Sequence, residues 1–124
     1  MTIAEYFSTV MSRLLTEPLV ASFEIVRERY TLVDGHLRAR LTLVDGNLLE
    51  FSEYVRRSSA GHIAVVTYSY HWADAQSNLL KRWDNTPHFP GLPNFPHHIH
   101  DGVQNTVLSG TPMDIFLVLD QIRS

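Results

Sequence analysis

Four of the seven histidines of this 124-residue chain fall in one stretch, RWDNTPHFPGLPNFPHHIH, residues 82–100. Histidine titrates near neutral pH and is the usual side chain for moving a proton during a reaction. His98 and His100 are separated by one residue, so in an extended chain they point to the same side. That spacing suits two chemistries. With a third ligand from His71, His88, Asp84 or Asp101, the pair would hold a metal ion. Alternatively, two histidines on either side of a phosphodiester, with an arginine facing the charged transition state, would cleave RNA without a metal or other cofactor. The candidate acid/base groups for this second chemistry are His71, His88, His97, His98 and His100. Arg82 is the candidate transition-state stabiliser, and Asp84 would orient a histidine. A plainer reading stands beside it: Arg82 pairs with Asp84, Trp83 is buried, and Asp84-Asn85 makes a turn. Tyr68 and Tyr70 could stack on bases or pack in a core. His36 and His62 carry no assigned role.

These groups need something to hold them. Pro87, Pro90, Pro93 and Pro96 recur every third residue, the period of a polyproline II helix. Each residue before a proline is pushed towards extended geometry. Phe89, Leu92 and Phe95 would then form an apolar stripe that anchors a stiff strap, with His88, Asn94 and His97 along another side. The alternative is a proline-rich connection with incidental polar residues.

The rest of the chain supplies the frame. Thr2 and Glu5 have capping-box spacing, and Ile3, Phe7, Val10, Met11 and Leu14 follow helical periodicity, so residues 2–16 read as a helix stopped by Pro18. TLVDGHL (31–37) and TLVDGNL (42–48) each carry an Asp-Gly hairpin signal. Strands are expected at about 20–33, 36–44, 47–57 and 62–72, with a short fifth at 79–83. A two-residue turn at Asp34-Gly35 would place Arg27 opposite Thr42 and Arg29 opposite Arg40. Arg27, Arg29, Arg38 and Arg40 would share one face, and Val26, Tyr30, Leu32, Leu37, Leu41 and Leu43 the other. A bulge or longer loop near Gly46 or Asn47 is needed to bring Leu49 and Phe51 to the apolar side. In 62–72, Ala64, Val66, Tyr68 and Tyr70 would share a face. Thr111 would cap a last helix, with Pro112 in its first position. The fold class is α+β in a single domain, residues 1–124: an N-terminal helix, an antiparallel meander of four to five strands, the strap, and a C-terminal helix.

Composition narrows the function. The chain has no cysteine, which excludes disulfides and thiolate chemistry. No apolar run reaches the roughly 20 residues of a membrane span. The N-terminal residues do not read as a signal peptide, so a cytoplasmic location is expected. The net charge of −3 gives no global pull towards nucleic acid. Yet nine of the ten basic residues are arginines, and six of those lie in 27–57. A local arginine face is therefore expected, suited to phosphate or carboxylate.

The order YSYHW…LLKRWDNTPHFPGLPNFPHHIH resembles the TumE family of small prokaryotic toxins. It pairs an aromatic strand ending in His-Trp with Arg-Trp-Asp-Asn, a proline before His88, and Phe-Pro-His-His with another histidine soon after. The matching positions are His71, Trp72, Arg82, Trp83, Asp84, Asn85, Pro87, His88, Pro96, His97, His98 and His100. Ile99 departs from the pattern: a basic residue would be more usual there, which weakens any phosphate-contact role for that position. The resemblance implies the toxin of a type II toxin–antitoxin system, restrained by a cognate antitoxin protein. RNA is the candidate substrate, and a free sheet edge would favour a homodimer. The competing class is a non-enzymatic protein-binding module or a homo-oligomeric regulatory protein, with the strap as its docking element.

Overall fold

In the computed structural model, which describes residues 1–124, the chain begins with helix α1, Ile3–Thr16. Its capping box forms as the sequence predicts: Thr2 Oγ1 accepts from Glu5 N–H at 3.0 Å, and Glu5 accepts from Thr2 N–H at 2.8 Å. Ile3, Phe7, Val10 and Leu14 are its buried stripe. Seven strands follow: β1 (Val20–Tyr30), β2 (Asp34–Leu43), β3 (Leu48–Arg57), β4 (Ile63–Ala73), β5 (Leu79–Asp84), β6 (His98–Asp101) and β7 (Thr106–Ser109). Helix α2, Ile115–Arg123, ends the fold. Every strand pairs antiparallel with the one before it, giving one sheet in the order β1 to β7. The class is α+β as expected, but four to five strands was an undercount. Strands β6 and β7 have only four residues each, too short to leave an alternation signal.

Both helices lie on one face of the sheet. Leu37, Ala39, Leu41, Leu49, Phe51, Val55, Tyr68, Tyr70 and Trp83 point inward and join Ile3, Phe7, Val10, Leu14, Ile115, Val118 and Leu119 in one core. Contact between α1 and the sheet is close enough to need Gly35, where a Cβ would lie 2.8 Å from Ile3 Cγ2. Tyrosines Tyr68 and Tyr70 are therefore core residues. Buried with them is Glu53, whose carboxylate accepts from Tyr6 Oη at 2.6 Å, Tyr70 Oη at 2.7 Å and Ile115 N–H at 2.9 Å. One side chain thereby ties α1, the sheet and α2 together. Burial pushes its pKa up, and those three hydrogen bonds oppose the rise.

The hairpins depart from expectation in informative ways. The first turn centres on Leu32-Val33, with Thr31 Oγ1 donating to Asp34 Oδ1 at 2.9 Å. Arg27 thus faces Arg38, and Arg29 faces His36. That register is four residues from the Asp34-Gly35 expectation. Four is even, so Arg27, Arg29, Arg38 and Arg40 keep the outer face. Val26 sits at a bulge, and Tyr30 and Leu32 at the hairpin end, so these three are exposed rather than core. In the second hairpin Gly46, at φ +88°, closes a three-residue loop. Leu49 and Phe51 return to the core, as the expected bulge or longer loop required. A bulge at Val66 in β4 places Val65, not Val66 or Ala64, on the side of Tyr68 and Tyr70. Asp114, not Thr111, caps α2, accepting from Leu117 N–H at 2.9 Å. Met113, expected within that helix, instead fills the core.

Candidate functional site

The sheet face away from the helices is bare except where residues 86–97 cross it. Its side chains fall in two rows that run across the strands. One row is Arg38, Ser52, Ser69, Asp84, His98 and Ser109; the other is Arg40, Glu50, His71, Arg82, His100 and Val107. Adjacent strands lie about 4.8 Å apart. Residues scattered from 38 to 109 in the chain are therefore next-door neighbours in space. Between the rows Ser52 and Ser69 leave a depression of about 340 Å³, walled by Arg38, Glu50, His71 and Arg82.

Arg82 is the hub. Its Nε donates to Asp84 Oδ2 at 3.0 Å, and its Nη1 approaches His71 Nδ1 at 3.4 Å. A guanidinium can only donate, so His71 accepts through Nδ1 and its proton sits on Nε2. Burial, and then the Arg82 charge, hold the His71 pKa below its ordinary value against the pull of Glu50. Arg82 Nη2 has no protein partner and remains free for an anion. Asp84 is only 5 % exposed. Burial alone would raise its carboxyl, but bonds from Thr86 and Arg82 outweigh that and keep it low. Thr86 N–H donates to its Oδ1 at 2.6 Å. The hydrogen bonds of Asp84 go to Arg82 and Thr86 and to no histidine, so its direct hold is on the guanidinium. On the far side Arg38 and Arg40 both bond Glu50, whose pKa they lower.

His98 and His100 lie beside Asp84 and Arg82, one strand over. Their rings meet edge to face, 4.9 Å between centroids. Phe89 packs edge-on against both, at 5.0 and 5.7 Å. His98 Nδ1 donates to the Pro96 carbonyl at 2.9 Å, while Nε2 is buried with no partner. The His100 pKa is lowered by burial and by His98.

His88 is exposed, its ring 6.3 Å from Phe89. His97 parts from the others. It lies on the helix side, stacked on Tyr68 at 5.8 Å with Nδ1 2.8 Å from Tyr68 Oη. Burial and His98 lower its pKa. Alternation along an extended chain sends neighbours His97 and His98 to opposite faces. The strap is also not a polyproline helix. It is a run of turns, with Leu92 N–H bonded to Phe89 O, His97 N–H bonded to Asn94 O, and Asn94 at φ +63°. Phe89 and Leu92 are half-buried, while Phe95 is exposed and anchors nothing. Asp84-Asn85 turns as expected, with Asp84 Oδ1 accepting from Thr86 N–H two residues on, and the Asn85 side chain extends the β4 pairing, accepting from Tyr68 N–H and donating to the Val66 carbonyl, each at 2.9 Å. No three His, Cys, Asp or Glu side chains lie together in a way that would hold a metal ion, so the His98–His100 pair gains no third ligand.

Glu50, Ser52 and Ser69 are not among the residues the sequence points to, and Arg38 enters there only as a member of the arginine face. Their place in the site follows from the register of three successive pairings. Arginine clustering in 27–57 was the one signal that pointed towards them.

The fold and this face together define a small α+β protein with an open antiparallel sheet, helices on one side and a histidine–arginine site on the other. A family model described as Toxin TumE matches residues 10–124, and the chain belongs to that family. No curated protein and no solved structure matches it. It is thus a toxin of a toxin–antitoxin pair, and an antitoxin is its implied partner. No helix is long and apolar enough to cross a membrane.

Proposed function

We propose that this toxin is a ribonuclease that works on the bare sheet face without a metal, as one domain in the cytoplasm, until its antitoxin restrains it. The observation that carries the proposal is the pair of transverse rows. They put Arg82, held by Asp84, between His71 on one side and His98 and His100 on the other. Arg82 and Arg38 supply the positive charge that a phosphodiester needs as negative charge builds on its oxygens. His98 and His100 supply the acid and base. Ser52 and Ser69, being small, leave room between the two arginines for a neighbouring phosphate of the RNA, while the scissile phosphate lies on the β6 side of Arg82, where His98 and His100 stand. His88 is exposed at the rim, and His97 holds the strap from the other face, so neither is assigned proton transfer.

A fully buried strap with every histidine satisfied would favour the binding-module alternative. The exposed strap and the orphaned His98 Nε2 count against it. The experiment is RNA cleavage by the purified toxin in the presence of a chelator, paired with growth arrest on induction. His98→Ala/His100→Ala should abolish both while the protein remains folded. Full cleavage by the folded double variant would remove both histidines from the mechanism.

A further inference from the structure

His98 is 2 % exposed, yet its Nε2 has no hydrogen-bond partner. Buried polar atoms are nearly always paired, and an unpaired one needs a reason. Its other nitrogen explains which form the ring takes. The Pro96 carbonyl can only accept, so Nδ1 carries a proton; a second proton on Nε2 would bury a charge with no partner, which leaves a bare lone pair there. Phe89 and His100 cover the ring edge-on.

The cover is loosely held. Residues 87–95 make no hydrogen bond beyond their flanking residues: their bonds run from His88 N–H to Thr86 O, from Leu92 N–H to Phe89 O, and from His97 N–H to Asn94 O. Prolines Pro87, Pro90 and Pro93 have no N–H to give. The strap can therefore lift without breaking a strand ladder. Only half-buried Phe89 and Leu92 resist.

We infer that Phe89 is a gate over His98, and that the group His98 receives when the gate opens is a ribose 2′-hydroxyl. The second half rests on the ribonuclease reading. A lone pair selects a donor, and in a nucleic acid the donor adjacent to the phosphodiester is the 2′-hydroxyl, which DNA lacks. With the phosphate on Arg82, His98 Nε2 takes the 2′-hydroxyl proton. The O2′–P bond forms and the P–O5′ bond breaks. The imidazolium of His100 gives its proton to the departing 5′ oxygen. The products are a 2′,3′-cyclic phosphate and a 5′-hydroxyl, and solvent restores both histidines. Phe89 touches no reacting atom. It controls access and excludes water from the lone pair.

The test separates the two halves. Diethyl pyrocarbonate acylates an accessible neutral imidazole nitrogen, and mass spectrometry locates the adduct. In the wild-type toxin exposed His62 should react fast and His98 slowly. Phe89→Ala and Phe89→Leu should speed His98 about tenfold, because reaction follows the population of the open strap, and leave His62 unchanged. An unchanged His98 rate in both folded variants overturns the gate. Wild-type toxin is then offered a random-sequence single-stranded RNA and its all-deoxy counterpart. The RNA should be cut to cyclic-phosphate ends, and the DNA should not be cut detectably, because it lacks the attacking oxygen. Equal cutting of both, or 3′-hydroxyl ends, overturns the hydroxyl assignment. If neither is cut while Phe89→Ala still exposes His98, the ribonuclease reading and the hydroxyl assignment fail and the gate stands.

Discussion

Arg82 and Asp84 share one face of β5, and their ion pair, Nε to Oδ2 at 3.0 Å, fixes the direction of the guanidinium. Asp84 has no histidine partner, so its part in the site runs through Arg82. Asp84→Asn keeps an acceptor for Thr86 but removes the charge that aims Arg82. Because Arg82 is 37 % exposed and solvent screens the pair, the expected stability loss is only about 1 kcal/mol. Activity should fall further, about a hundredfold, as misaimed groups lose their transition-state contact. Urea unfolding and RNA cleavage on one preparation check this. Equal, small losses in both would make Asp84 a structural residue.

His97 and His98 are expected to separate in function as they do in space. Phe at 97 keeps the stacking on Tyr68 and loses the bond to its hydroxyl. His97→Phe should therefore cost about 1 kcal/mol, the net worth of one hydrogen bond, and retain growth arrest. His98→Phe should abolish arrest. Loss of arrest by folded His97→Phe would place His97 in the chemistry.

Much of this geometry was legible before any coordinates. The capping box of α1, the arginine face and the repositioning of Leu49 and Phe51 all follow from local period and turn chemistry. Even the misplaced first turn preserved the arginine face, because its register differs by an even number. What was not legible depends on longer range. Bulges at Val26 and Val66 leave no mark in the residues that form them. Prolines every third residue suggested a polyproline helix, but local turns, including positive-φ Asn94, prevail. Alternation in H-H-I-H separates His97 from His98 and His100, but which of the two faces is the core is fixed only when β6 is paired with β5. The depression between Arg38 and Arg82 needs the register of β2, β3, β4 and β5 together, and errors in any one pairing would scatter it.

Glu53 gives a pH-dependent stability with a defined sign. Its folded pKa is raised above the ordinary value of 4.5, with burial the largest cause. The raised value means that its contribution is fully present below 4.5 and is lost as pH rises through the folded pKa. Glu53→Gln, which cannot ionise, should therefore gain stability relative to wild type from pH 4 to pH 7, since folding of the wild type is increasingly disfavoured as pH rises above the ordinary 4.5. Glu53→Ala should cost about 3 kcal/mol at either pH, since it strands the Tyr6 and Tyr70 hydroxyls and Ile115 N–H. Denaturant unfolding at the two pH values measures both. A wild type that gains on Glu53→Gln as pH rises would reverse the sign and show that the hydrogen bonds outweigh burial.

His100 sets the pH dependence of cleavage. Burial, and the charge on neighbouring His98 once it has taken up a proton, hold its pKa below 6.5. A group that must donate its proton to the leaving oxygen is then in its active form only at the acid end. As pH rises from about 6 to 8 the imidazolium fraction falls about tenfold per unit once the pKa is passed. Cleavage at saturating RNA should fall in the same way. The fall should disappear in His100→Gln, which will be slow at every pH because it has no proton to give. His71 is also shifted down, by burial and by Arg82, so His71→Gln must be measured beside it. If that variant flattens the profile and His100→Gln does not, the acid is His71, and the leaving group lies in the depression beside Ser69 rather than under the strap.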